Sequence, residues 1–200
     1  MTNLDHLVNL TLAVVLIIGA YQFYFWCQRQ SKSRARVFSF RLDNSIPLQP
    51  VWVWIYSGFY YPAIIVVVMS VRDLRQFNYM AFSYLVLLAF HMIVFLVFPV
   101  EVPPEWRLHE SNLGSPSGRF LALVQRFDAR SNCFPSMHVS VATLTAFHSV
   151  RNMPSAFIPS ALFVILIAVS CVLTKQHYLI DLPAGLLCGW LSFLLFLRLL

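Results

Sequence analysis

Six apolar runs account for most of this chain, at roughly 7–27, 51–70, 79–99, 137–150, 155–173 and 182–200. A helix needs about 20 apolar residues to cross about 30 Å of hydrocarbon, and five of the runs come close to that length. Alternating strands of about ten residues are absent, and lipid admits only helices or closed barrels across its core. The expected fold is therefore all-α: a multi-pass transmembrane helical bundle of about six spans, forming one integral-membrane domain over residues 1–200. Composition supports this, since 59% hydrophobic and 11% charged residues suit neither a water-soluble core nor nucleic-acid binding. The first run is no secretory signal. It lacks a basic leader, and the aromatics Tyr21, Phe23, Tyr24, Phe25 and Trp26 stand where a small-residue cleavage site would be. They suit a span meeting the headgroups.

The fourth run is short. Residues 137–150 rise about 21 Å at 1.5 Å per residue, so one end is expected below the membrane surface or the bilayer thins there. Six crossings put the 28–50, 100–136 and 174–181 connections on one side. Within the longest, Phe120, Leu121, Val124 and Phe127 share a helical face, with Arg119 and Arg126 elsewhere. This predicts a short interfacial helix between spans three and four. Cys27, Cys133, Cys171 and Cys188 form no C-x-x-C pair and are read as reduced and structural.

Two polar islands begin spans on that shared side: Asn132-Cys-Phe-Pro-Ser-Met-His138 and Thr174-Lys-Gln-His-Tyr-Leu-Ile-Asp181. Ionisable groups beside spans are costly unless they pair, reach water or do work. His177 and Asp181 are four apart, which puts them on one face if the segment is helical. A carboxylate there would fix the imidazole tautomer and stabilise its positive charge. An oriented neutral imidazole is a nucleophile or base, and His138, at the start of another helix, would be the complementary acid. The Pro135-Ser136-Met137 turn offers amides to an anion, Ser136 a hydroxyl and Lys175 a cation. This inventory suits phosphoryl transfer, where charge on equatorial oxygens must be neutralised.

These residues resemble a known family. Pro135-Ser136-Met137-His138 followed by His177-x-x-x-Asp181 looks like the second and third signatures of the type-2 phosphatidic acid phosphatase superfamily. Closer still is the branch of inositol phosphorylceramide synthase-like proteins. The stretches Leu42-Asp-Asn-Ser-Ile-Pro-Leu-Gln-Pro50 and Phe98-Pro-Val-Glu-Val-Pro103 are similar to that branch as well. The likeness covers roughly residues 42–190.

The resemblance implies an enzyme that cleaves a lipid phosphate ester or diphosphate. His177 would attack phosphorus to form a phosphohistidine, and Asp181 would hold His177. His138 would protonate the leaving alkoxide and then activate water or an alcohol. No cofactor or metal is implied, and the partners are the lipid substrate and membrane lipids. Lys175, Ser136 and the turn amides would hold phosphate oxygens. The first signature departs from the family, because Pro104 stands where arginine often does, leaving Arg107 or Arg130 for that role. Cys171 follows Ser170 where the wider family has arginine, and the resemblance implies that Lys175 would substitute. Met137 replaces the usual glycine before His138.

Other readings stay open. The same residues serve a headgroup transferase of the inositol phosphorylceramide synthase type, a small proton-coupled transporter, or a non-catalytic scaffold. A zinc site from Cys133, His138, His177 and Asp181 requires the islands to touch with four ligands converging, and is disfavoured. His91 and His148 are read as packing histidines. Arg107 and Arg130 have a second reading as headgroup-facing charges. Ten of the fourteen basic residues lie on the island side. The positive-inside rule makes that side cytoplasmic, whereas the resemblance places it outside the cytoplasm.

Overall fold

The structure, a computed structural model, describes residues 3–38, 40–108, 113–128 and 130–199. Among them are eight α-helices: α1 (Asn3–Ser31), α2 (Arg41–Ser45), α3 (Tyr60–Met69), α4 (Leu74–Val97), α5 (Pro116–Phe127), α6 (Met137–Asn152), α7 (Phe157–Leu173) and α8 (Asp181–Leu199). Two two-residue strands, β1 (Arg36–Val37) and β2 (Val100–Glu101), pair in parallel. Five stretches are long and apolar enough to cross a membrane: Leu4–Ser31, Pro50–Met69, Leu74–Val97, Pro154–Leu173 and Asp181–Leu199. This is the pattern of an integral membrane protein. The second stretch opens irregularly, with a 3-10 turn at Pro50–Trp52 and a π-helical segment at Trp54–Phe59 before α3.

Helix α6, expected as the fourth span, is not among the five. Its 16 residues rise about 24 Å, less than the hydrocarbon thickness. It packs against α3, α4, α7 and α8. A helix wrapped by other helices needs little lipid-facing surface, so its sequence can carry polar groups. Those groups are hydrogen-bonded, as low dielectric demands. Ser140 Oγ meets His91 Nε2 at 3.0 Å, His148 Nε2 meets Ser83 Oγ at 3.1 Å, and Thr145 Oγ1 meets Tyr84 Oη at 2.8 Å. His91 and His148 are thus buried in helix packing, and His91 meets the first island through Ser140, whose Oγ donates to Ser136 O at 2.8 Å.

Helix α8 lies closest to α6, and two glycines allow the approach. A Cβ on Gly185 would stand 2.7 Å from Ser136 O, and one on Gly189 would stand 2.7 Å from Thr143 Cβ. Gly185-Leu-Leu-Cys-Gly189 is a small-xxx-small pattern, which lets membrane helices pack backbone to backbone.

The connections gather at two ends. At one, β1 pairs with β2, Gln49 N donates to Leu173 O at 2.8 Å, and buried Tyr178 Oη accepts from Phe38 N at 3.1 Å. The 28–50, 98–136 and 174–180 segments therefore form one layer. At the other end Asn152 Nδ2 donates to Ser70 Oγ at 2.9 Å, and Gln76 Nε2 donates to Asn152 Oδ1 at 2.6 Å. Helix α6 consequently runs from one end of the bundle to the other.

Helix α5 is capped by Ser115, whose Oγ accepts from Gly118 N at 3.0 Å, with Pro116 in its first turn. It rests on the start of the second stretch through Trp54 Nε1, which donates to Ser117 Oγ at 3.0 Å, and through the Trp54–Phe120 ring contact. The apolar face anticipated from sequence divides: Leu121 is buried, Phe120 and Val124 are half-buried, and Phe127 is exposed. The cause is that the bundle covers only one flank of α5. A cavity of about 580 Å³ lies between α1, α3, α4 and α5. It extends from His138 and Asp128 at the loop end to Phe77 and Met80 near the opposite end, and tyrosines 21, 24, 56, 60, 61 and 84 line it.

Candidate active site

The two islands meet because α6 and α8 start side by side. Ser136 caps α6 through its Oγ, which accepts from Val139 N at 3.4 Å, and its backbone N donates to Asp181 O at 3.2 Å. That bond ties the beginning of α6 to the beginning of α8. The imidazole rings of His138 and His177 stand 6.0 Å apart, centre to centre, at 65°.

His177 and Asp181 are not on one helix. His177 lies in the turn that follows α7, and Asp181 is the first residue of α8. The turn still brings them together. Asp181 Oδ2 lies 3.3 Å from His177 Nδ1 and accepts from Tyr178 N at 2.8 Å. His177 Nδ1 also faces Cys133 O at 2.9 Å. A ring nitrogen between two acceptors must carry the proton, so the neutral ring keeps its lone pair on Nε2. The side chain is held from two directions, which fixes the ring plane. Asp181 Oδ1 is buried and has no hydrogen-bond partner among the described residues.

His138, on the first turn of α6, stacks on Tyr56 with ring centres 4.1 Å apart, and its Nδ1 meets Tyr56 Oη at 3.2 Å. Tyr60 flanks it at 5.0 Å. The π-helical segment supplies Tyr56, and α3 begins with Tyr60, so the irregular start of the second stretch builds the wall behind His138.

The residues expected to hold phosphate divide. Arg107 stands beside the islands: its guanidinium donates to Gln176 Oε1 at 3.3 Å and to Asp128 O at 2.9 Å. Its Nε is buried without a partner among the described residues. Burial pushes the guanidinium below its ordinary value, and the nearby Asp128 charge offsets part of this; arginine remains charged. The other three have partners elsewhere. Lys175 Nζ donates to Asp43 O at 2.5 Å and lies 4.4 Å above the Trp106 ring. Burial lowers the lysine's pKa, with Asp43 opposing. Arg130 reaches Glu101, 3.8 Å away. The Ser136 hydroxyl, fully buried, is used as the helix cap, and its backbone N is bonded to Asp181. Lys175, Arg130 and Asn132 have left-handed backbones, φ 57°, 70° and 63°. Such strain in non-glycine residues tends to gather at functional sites.

Cys133 gives its carbonyl, not its sulfur, to His177, and its thiol donates to Arg130 O at 2.9 Å. Burial pushes that thiol's pKa well up, which disfavours the thiolate a metal requires. Sequence reading missed Asp128, Gln176 and Tyr56. Asp128 ends α5, lines the cavity beside His138, and accepts at Oδ1 from Gln28 Nε2 at 3.0 Å and Tyr24 Oη at 3.3 Å. Burial raises its pKa, opposed by Arg107, His177 and those hydrogen bonds.

No curated protein and no solved structure matches the chain. A sequence model described as the PAP2 superfamily matches residues 33–195. That span holds both islands, the glycines that let α6 and α8 approach, and every side chain just placed around the two histidines except Tyr24 and Gln28. The chain belongs to the PAP2 superfamily.

Proposed function

We propose that the protein is an integral-membrane phosphatase or phosphotransferase acting on a lipid phosphate ester or diphosphate through a phosphohistidine on His177. The observation that carries this reading is the pair of imidazoles 6.0 Å apart, with the Nδ1 proton of His177 committed to Asp181 and Cys133. Superfamily membership supports phosphatase or phosphotransferase chemistry. The cavity of about 580 Å³ falls within the range of about 300–1,000 Å³ typical of small-molecule sites. Its aromatic and aliphatic walls suit a lipid tail.

In this mechanism His177 Nε2 attacks phosphorus and the P–O bond to the leaving alkoxide breaks. His138, charged beside the bound phosphate anion, gives its proton to that oxygen. Neutral His138 then takes a proton from water or an acceptor alcohol, whose oxygen attacks phosphorus. The P–N bond breaks and His177 is restored. Asp181 stabilises the positive imidazolium that forms when His177 is phosphorylated. Arg107, with its unpartnered Nε, is the cation best placed for phosphate oxygens; a buried donor left unpaired costs about 1–3 kcal/mol, which a bound anion would recover. Lys175, Ser136 and Arg130 would act indirectly, by shaping the loops. Helix α6 adds a sixth crossing, fourth in chain order, and α5 lies at the bilayer surface with Leu123 and Phe127 toward lipid.

Transfer to an alcohol, as in inositol phosphorylceramide synthase-like proteins, uses the same first half-reaction and differs only in the acceptor. The test is to incubate purified protein with a lipid labelled in its phosphate and to quench. The expected label on protein is acid-labile and base-stable, and absent in His177→Ala. Label that persists in that variant removes His177 as nucleophile.

A further inference from the structure

Asp128 is a half-buried carboxylate that the phosphoryl chemistry does not use. It lines the cavity at the same end as His138 and Tyr56. Its Oδ1 is held by Tyr24 and Gln28, both on α1. Its Oδ2 accepts no hydrogen bond among the described residues. Arg107, the nearest cation, donates to the backbone oxygen of Asp128, so no salt bridge consumes the carboxylate. A carboxylate repels phosphate oxygens, so this group is unsuited to holding the phosphate. It accepts hydrogen bonds, and an ionised acceptor makes stronger ones than a neutral acceptor. Asp128 lines the cavity, so a bound ligand that brings a donor can reach this unmet oxygen.

The position says where that donor must be. The phosphate belongs beside His177, and the tail belongs in the aromatic cavity. Asp128 lies where the cavity meets the site, at the level of the substrate's linker between phosphate and tail.

We propose that Asp128 is a specificity residue, whose free oxygen accepts a hydrogen bond from a hydroxyl or ammonium group carried by the lipid close to its phosphate ester. The favoured substrates are then lipid phosphates with a free O–H or N–H in the linker, over those in which that position is esterified or absent. Tyr24 and Gln28 are positioning residues that aim the carboxylate. This inference rests on the lipid-phosphate reading above and narrows it.

The test uses the full chain in detergent and three substrates of matched tail. One is an octadecenyl-ether lysophosphatidic acid with a free hydroxyl, the second its propanediol analogue without that hydroxyl, and the third its analogue with an ammonium group in place of that hydroxyl. The readout is the ratio of kcat/KM for a donor-bearing substrate to that for the propanediol analogue. Wild type is expected to favour the donor-bearing lipid by about tenfold or more, the contribution of a hydrogen bond to a charged group. Asp128→Asn is expected to bring the ratio close to one. Gln28→Leu is expected to lower it partway, and keeps the test open if Asp128→Asn fails to fold. A larger ratio for the ammonium lipid than for the hydroxyl lipid identifies the donor as N–H, and the reverse as O–H. A ratio unchanged in the variants, or near one in wild type, overturns the proposal.

If wild type releases phosphate from none of the three, the functional reading fails separately. Thermal stabilisation by the same lipids then decides on Asp128. A difference between the hydroxyl lipid and its analogue that vanishes in Asp128→Asn supports the subsite, and equal stabilisation overturns it.

Discussion

Asp181 meets His177 with one carboxylate oxygen, and that oxygen also holds Tyr178 N. The carboxylate therefore sets both the tautomer of the ring and the turn that presents it. Asp181→Asn keeps the shape but can offer an N–H to Nδ1, which favours the wrong tautomer. By analogy with the serine-protease triad, kcat is expected to fall about 10²–10⁴-fold, with KM changing far less, measured as phosphate release from a lipid phosphate. Asp128 behaves differently because burial raises its pKa. The folded chain then holds that proton more tightly than the unfolded chain, whose carboxyl titrates near about 4. The stabilisation is complete below about 4 and is lost as pH rises through the raised folded value. Asp128→Asn is neutral throughout and still accepts from Tyr24 and Gln28. It is expected to melt above wild type at pH about 8, with the gap closing toward pH about 4. A gap that widens on acidification would contradict a raised carboxyl. His138, His177 and Asp181 were legible in the sequence because their wording is local. Tyr56 was not, because 82 positions separate it from His138. Asp128 was hidden among loop charges, since nothing local says a carboxylate ends hydrogen-bonded to α1.

Hydropathy located the long helices to within a few residues, since crossing lipid demands a continuous apolar run whatever the neighbours are. Contacts between helices left a fainter trace. Gly185 and Gly189 sit in an apolar run where glycine has no obvious purpose until α6 is known to press on them. The two-residue strands and the π-helical stretch depend wholly on tertiary pairing. Because His138 rides on α6 and Asp181 on α8, the spacing of these helices sets the site. In Gly189→Ala the new methyl would meet Ser140 O and Thr143, so a helix must shift. The expected cost is about 1–3 kcal/mol for overpacking, read by thermal unfolding in detergent. Activity should fall further than stability, since displacing a catalytic group by about 1 Å can cost about a hundredfold. Gly19→Ala supplies the contrast. Nothing lies within 4 Å of a Cβ there, so the substitution should be neutral or stabilise by up to about 1 kcal/mol through helix propensity. If both variants melt alike, close α6–α8 packing does not limit the fold.

At the scale of the whole molecule, the layered loops and the charge distribution bear on which way the chain sits in the membrane. Of the basic residues at the island end, Arg107, Arg130 and Lys175 are engaged by other groups there. Their charge serves local structure or substrate and says little about topology. Arg29, Arg34, Arg36, Arg41, Arg119 and Arg126 are exposed, and the side chain of Lys32 lies outside the described residues. The opposite end exposes Arg72, Arg75, Arg151 and Arg198. Excluding the engaged residues leaves the bias in place, carried chiefly by the 28–50 segment close to α1, where the positive-inside rule weighs charge most. The island end is therefore expected to face the cytoplasm. All four native cysteines are buried, so a cysteine placed at exposed Ser33 gives a label with little background. In intact cells Ser33→Cys should resist an impermeant thiol reagent and react once the membrane is opened. Reaction in intact cells would place the two histidines on the outer face. It would also mean that the arginines of 28–50 are retained for anionic headgroups or substrate, and their replacement by glutamine should then raise KM without inverting the chain.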